Sequence, residues 1–134
     1  MAQRDAITAY LDEILPVTGI EDPSFNGLQV EGRETVNTIV MGVTAGKELF
    51  TRAAELDAQY IVVHHGHYWR YGTPAIAGWE KKRIDVLLQH TMSLYASHLP
   101  LDKHSKIGNN IQLLNLLNAD IVGDFSKHGE ESSS

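Results

Sequence analysis

Apolar positions recur at helical spacing near the start of the chain: Ile7, Leu11, Ile14 and Leu15, with Pro16 ending the run. The pattern predicts a helix over residues 3–15, followed by a loop rich in Pro, Asp, Ser and Asn that ends at Asn26. Gly27–Val30 reads as a short strand. Thr38–Val43 is a continuous apolar run, the pattern of a strand covered on both faces. Leu49, Phe50, Ala53, Ala54 and Leu56 mark a second amphipathic helix, and Tyr60–Val63 a second buried strand. Ile84, Leu87 and Leu88 place a third helix near residues 78–90, ahead of a strand at Ser93–Ser97. Ile111, Leu113, Leu114, Leu116 and Leu117 predict a fourth helix, and Ile121-Val122 a last short strand.

Strands alternating with helices are the signature of an α/β domain, here with a largely parallel or mixed sheet and flanking helices. One such domain over residues 1–125 and a flexible tail over 126–134 account for the chain. In such sheets ligands bind beyond the carboxyl ends of the strands. Two candidate strands run into chemistry-bearing residues at that end. Tyr60–Val63 leads into His64-His65-Gly66-His67, and Ser93–Ser97 into His98-Leu99-Pro100-Leu101-Asp102. Consecutive strands tend to be neighbours, so His64, His65, His98 and Asp102 are expected at one sheet edge. Adjacent residues of a strand face opposite ways. His64 and His65 therefore share a site only where the strand ends and the backbone turns, a turn assigned to Gly66.

Composition narrows the chemistry. The chain has 134 residues, 43% of them hydrophobic, and no cysteine. Disulfides and thiolate metal sites are excluded. A metal here is held by imidazole nitrogen and carboxylate oxygen, a donor set open to zinc, iron, manganese, cobalt or nickel. The net charge of −6 argues against a duplex nucleic-acid partner. No apolar run suits a membrane helix and the start lacks a signal-peptide layout, so a cytoplasmic location is expected.

His64, His65 and Asp102 are the candidate metal ligands. His98 is the candidate catalytic acid or base, with a ligand or ligand-orienting role as the alternatives. His67 forms a His-x-His with His65, His90 suits a helix C-terminus, and His104 reads as exposed loop. Asn109 and Asn110 read as helix N-caps, and Lys81-Lys82-Arg83 as a solvated helix face. Trp69 and Tyr71 either stack on a flat ring or close their loop onto the core. Ser24 and Thr44 have no evident triad partners.

Three segments taken together carry a family resemblance. They are Asn26-Gly27-Leu28-Gln29-Val30-Glu31-Gly32, Val63-His64-His65-Gly66, and His98-Leu99-Pro100-Leu101-Asp102-Lys103-His104 with Gly108-Asn109-Asn110. The set resembles the Nif-three-like family, also known as the type-2 GTP cyclohydrolase I family, and within it the YbgI branch. The resemblance runs from the first helix to about residue 123. It implies a Nif-three-like half-domain and a site for two divalent metal ions, with His64 and His65 one to each metal and Asp102 as the family aspartate. It places His98 in the same pocket. It also implies metal-dependent hydrolysis of GTP or a related nucleotide-like small molecule, and self-association into a homohexamer ring or a dimer.

Chains of that family run to nearly twice this length, and their second half adds a His and a Glu in a His-x-x-x-Glu spacing. His128 and Glu131 do not reproduce that spacing. The expectation is half a site: either the chain is a truncated piece, or another subunit supplies the missing ligands. Apolar surface left uncovered would then favour self-association. A non-catalytic metal-binding or assembly module is the rival reading.

Overall fold

The computed structural model describes residues 1–123; the expected tail at 126–134 lies outside them. The elements in order are β1 (Ala2–Gln3), α1 (Arg4–Ile14), β2 (Gly27–Val30), β3 (Thr35–Val36), β4 (Ile39–Thr44), α2 (Lys47–Glu55), β5 (Tyr60–His65), α3 (Gly78–Gln89), β6 (Ser93–Ala96), α4 (Leu99–Asp102) and α5 (Asn109–Leu116).

Four strands form a mixed sheet in the order β2-β6-β5-β4. β4, β5 and β6 are parallel, with Val63 opposite Gly42 on one side and Ala96 on the other. β2 closes the far edge antiparallel to β6. β1 and β3 make a separate two-stranded ribbon. These two strands are too short for any two-residue period to show in the sequence.

The two sheet faces bury different cores. On one face Ile61, Val63, Leu94 and Ala96 meet Phe50 and Ala53 of α2 and Leu87 of α3. Leu49 packs closely over Gly42 on this face: a Cβ there would sit 2.5 Å from a methyl of Leu49, so the leucine would have to shift. On the other face Tyr60 and Tyr95 pack against Leu15, Ile7, Leu11 and Ile14 at α1. Buried phenols need hydrogen-bond partners, and α1 supplies both. Thr8 Oγ1 lies 2.8 Å from the Tyr60 hydroxyl, and the Tyr95 hydroxyl donates to Asp12 Oδ1 at 2.9 Å. Burial, with Asp12 adding to it, raises the Tyr95 pKa, so the hydroxyl keeps its proton and donates.

Two sequence expectations are corrected, and a third element is found as expected but bare. β4 is not covered on both faces: it is a sheet edge, and Ile39, Met41 and Val43 stand bare, Met41 at 78% exposure. Its apolar run reads as a central strand because Val40 and Gly42 face a helix while the alternate residues form an open apolar stripe. Ile121-Val122 form no strand, and both residues are exposed. α5 is a helix as expected, but none of its residues is buried, and Leu113 and Leu116 face outward. Among the described residues no helix is long and apolar enough to cross a membrane.

Candidate metal centre

Parallel pairing puts the carboxyl ends of β5 and β6 side by side, and the histidines follow from that. His64 and His65 are the last two residues of β5, and His98 comes two residues after β6 ends at Ala96. One ligand nitrogen from each of His64, His65 and His98 lies within 4.8 Å of the others. The rings are near neighbours too, with centroids 4.5 Å apart for His64 and His65 and 5.0 Å apart for His64 and His98.

Gly66 makes this crowding possible, though not by a special turn. A Cβ at Gly66 would overlap the Gln29 side-chain amide and lie 2.7 Å from the Ala96 Cβ, so the position demands space. Gln29 in turn accepts from the His67 N–H at 2.7 Å, fixing the chain as it leaves the strand.

Each of the three rings is held at Nδ1. His64 Nδ1 lies 3.0 Å from the Ser97 carbonyl oxygen, His65 Nδ1 3.1 Å from Thr44 Oγ1, and His98 Nδ1 2.9 Å from Asp22 Oδ1. A carbonyl oxygen and a carboxylate only accept, so His64 and His98 carry their proton on Nδ1. Their Nε2 atoms then offer lone pairs. This is how metal-binding imidazoles are oriented by the groups behind them.

Asp102, on α4, approaches the cluster from the His64 side and is not among the three residues whose ligand atoms all lie within 4.8 Å of one another. Its Oδ2 lies 3.5 Å from His64 Nε2, and its Oδ1 accepts from Asn109 Nδ2 at 2.9 Å. Two acceptors thus face each other across a gap that a cation would bridge. The donors are nitrogen and oxygen only, and they suit zinc, iron, manganese, cobalt or nickel without choosing among them. Burial pushes the His65 pKa down, and the neighbouring His64 and His98 push it the same way; Asp102 opposes them. The net effect keeps His65 in the neutral form a metal requires.

Asp22 is the residue that sequence reasoning missed. Its carboxylate is almost fully buried and takes four hydrogen bonds: from the Ser24 and Leu99 N–H groups, from Asn26 Nδ2 and from His98 Nδ1. Burial alone would raise its pKa, but the bonds from Asn26, His98, Ser24 and Leu99 together outweigh burial and lower it. Asn26 also accepts from the His98 N–H at 2.7 Å. The Asp-Pro-Ser loop is therefore the platform under His98. No local signal marks it, because Asp22 and His98 are 76 positions apart.

Other expectations are redrawn. Gly108, not an asparagine, is the N-cap of α5, and Asn109 instead orients Asp102. Thr44, with no role in the sequence reading, backs His65. His67 turns away from the cluster and places Nε2 2.7 Å from Glu80 Oε2. Arg83 is no solvated charge: it bonds Glu80 and the Ala45 carbonyl oxygen and stacks on Trp79. His104 is structural, its Nδ1 accepting from the Lys106 and Ile107 N–H groups. Trp69 lies edge-on to His98, with ring centroids 5.2 Å apart.

Residues 2–133 match the sequence profile of the Duf34/NIF3 (NGG1p interacting factor 3) family. A protein of Escherichia coli K12 named GTP cyclohydrolase 1 type 2 homolog is 45% identical over 115 residues, which are 86% of this chain and 47% of that protein. A Pyrococcus horikoshii protein of the same name is 44% identical over 125 residues, 93% of this chain and 50% of that protein. The crystal structure of TTHA1606 from Thermus thermophilus superposes with a TM-score of 0.82 at 43% identity, covering 86% of this chain and 48% of that one. The chain spans about half the length of the curated relatives it matches.

Proposed function

Since the chain belongs to the Duf34/NIF3 family, we propose that it carries the histidine-rich part of a metal-dependent hydrolase centre acting on GTP or a related nucleotide-like small molecule. The observation that carries the reading is the pair of facing acceptors, His64 Nε2 and Asp102 Oδ2, 3.5 Å apart and each oriented from behind by another group. The names of the relatives from Escherichia coli and Pyrococcus horikoshii support the substrate class.

In this proposal His64, His65 and Asp102 hold the metal and leave a coordination position open, the arrangement expected of a catalytic rather than a structural site. When bound, a divalent ion supplies Lewis acidity and makes water a competent nucleophile at neutral pH. His98 works beside it. With its Nδ1–H donated in a hydrogen bond to Asp22, its Nε2 is free to accept a proton from the attacking water and return it to the leaving group. Asp22 holds the ring in that tautomer and stabilises the imidazolium that forms. A second metal of a dinuclear pair would need donors beyond this set, such as the further His and Glu that the family resemblance implies.

The test is turnover against metal loading. The metal-stripped chain is reloaded in turn with zinc, iron, manganese, cobalt and nickel and assayed for GTP hydrolysis. Activity that appears with one metal and drops about a hundred-fold or more in His98→Gln, with metal retained, is the expected result. Metal binding with no hydrolysis at any loading would replace the enzyme reading by that of a binding or assembly module.

Self-association belongs to the same proposal, supported by the bare Ile39, Met41 and Val43 stripe at the β4 edge. Light scattering at high protein concentration is expected to report a dimer or larger. A monodisperse monomer would contradict it.

A further inference from the structure

Beside the histidine cluster runs a cleft of about 1000 Å³ whose walls include His65, Trp69, Tyr71, Ile76 and Trp79. Ligand pockets of drug-sized molecules span roughly 300–1,000 Å³ and are mostly apolar with a few fixed polar groups. Two features set this cleft apart from an ordinary surface groove.

The first is how Trp79 is held. The residue is 63% exposed, an unusual place for a tryptophan, yet it is not loose. The Arg83 guanidinium lies 4.0 Å from its ring centroid and covers one face. Arg83 is itself fixed, donating to the Ala45 carbonyl oxygen at 2.6 Å and to both carboxylate oxygens of Glu80 at 3.0 and 3.2 Å. Glu80 is tied to His67, whose side chain is only 3% exposed. A chain of part-buried, charge-assisted bonds, anchored at Ala45 just after β4, thus supports an exposed aromatic ring. A cation beneath one face draws electron density from the ring, which suits the other face to an electron-rich aromatic partner.

The second is continuity with the metal centre. His65 belongs to both the cluster and the cleft. Trp69, fixed by its Nε1–H donating to the Gly66 carbonyl oxygen at 3.0 Å, touches the cluster through His98 and lines the cleft. The buried His67 wall also has an Nδ1 without a hydrogen-bond partner among the described residues.

We propose that this cleft is the subsite for the flat heteroaromatic ring of the substrate, a ring of purine size stacked on Trp79, with the rest of the molecule directed toward His64, His65 and His98. The inference rests on the hydrolase reading for its choice of ligand. It adds what that reading lacks, namely where the ring sits and which residues select it.

The chain has two tryptophans, so intrinsic fluorescence can assign the site. Guanosine is titrated into the metal-stripped chain, with ribose 5-phosphate as the ringless control. Saturable quenching by guanosine alone is expected, and it should persist in Trp69→Phe, where Trp79 is the remaining emitter. Binding in Trp79→Ala, followed by calorimetry, should weaken about ten-fold, the scale of one lost base–aromatic stack. Trp79→Phe should recover part of that loss, which separates stacking from a folding defect. No saturable binding of guanosine to the wild-type chain, or equal affinity in Trp79→Ala, would overturn the proposal. Because no metal is present, neither result depends on whether the histidines bind one.

Discussion

Asp22→Ala is expected to destabilise the chain by about 3 kcal/mol and to lower turnover of the metal-loaded chain by roughly 10- to 100-fold. The carboxylate accepts four hydrogen bonds in a nearly water-free position. Its removal takes a partner from the Ser24 and Leu99 N–H groups, from His98 Nδ1 and from Asn26 Nδ2, which keeps only a 3.5 Å contact to the Ser24 carbonyl oxygen; a polar group left without a partner in a buried position costs about 1–3 kcal/mol before relaxation. It also frees His98 to rotate or change tautomer. Chemical denaturation and the GTP hydrolysis assay read the two effects. Asp22→Asn should be milder in stability, since Asn keeps one acceptor oxygen.

The stability effect has a defined pH dependence. The folded-state pKa of Asp22 lies below its ordinary value, so its contribution is complete above the unfolded-state value of about 3.9. It is lost as the pH falls through the lower, folded-state value. The gap between wild type and Asp22→Asn should therefore be full at neutral pH and close in strong acid. An Asp22→Ala chain with wild-type stability and turnover would remove Asp22 from the site.

The second large effect is expected from His64→Ala combined with His65→Ala. Tight protein sites with four ligands reach about 10–16 kcal/mol, or roughly 3 kcal/mol per ligand. Losing two ligands should weaken binding by about four orders of magnitude. Fold stability should change little or even rise, because the pair ends a strand at a crowded, polar edge with only partly buried side chains. That contrast with Asp22→Ala separates a ligand from a platform residue.

Much of this centre is legible in the sequence because strand ends are legible. Tyr60–Val63 and Ser93–Ser97 announce themselves as buried β runs, and an α/β sheet brings their carboxyl ends together. His64, His65, His98 and Asp102 follow from that rule alone. What stays hidden depends on long-range contact. Asp22 and Asn26 reach His98 from a loop more than 70 positions away, and loop polarity reads the same whether or not a carboxylate is buried. Asn109 reads as a cap because capping and side-chain recognition use the same residue type. Arg83 reads as solvated in a run of basic residues, although helical geometry turns it inward while Lys81 pairs with Asp85. The β4 stripe misleads for the opposite reason. Its alternating faces are both apolar, and only the strand order shows that one of them is bare.

The reading of His64, His65 and Asp102 as metal ligands stands or falls on metal content. The chain, purified without chelator and dialysed, is submitted to elemental analysis beside the His64→Ala/His65→Ala double variant. About one equivalent or more of a divalent transition metal in the wild type, absent from the double variant, is the expected result. Substoichiometric metal in the wild type that is unchanged in the double variant would contradict it.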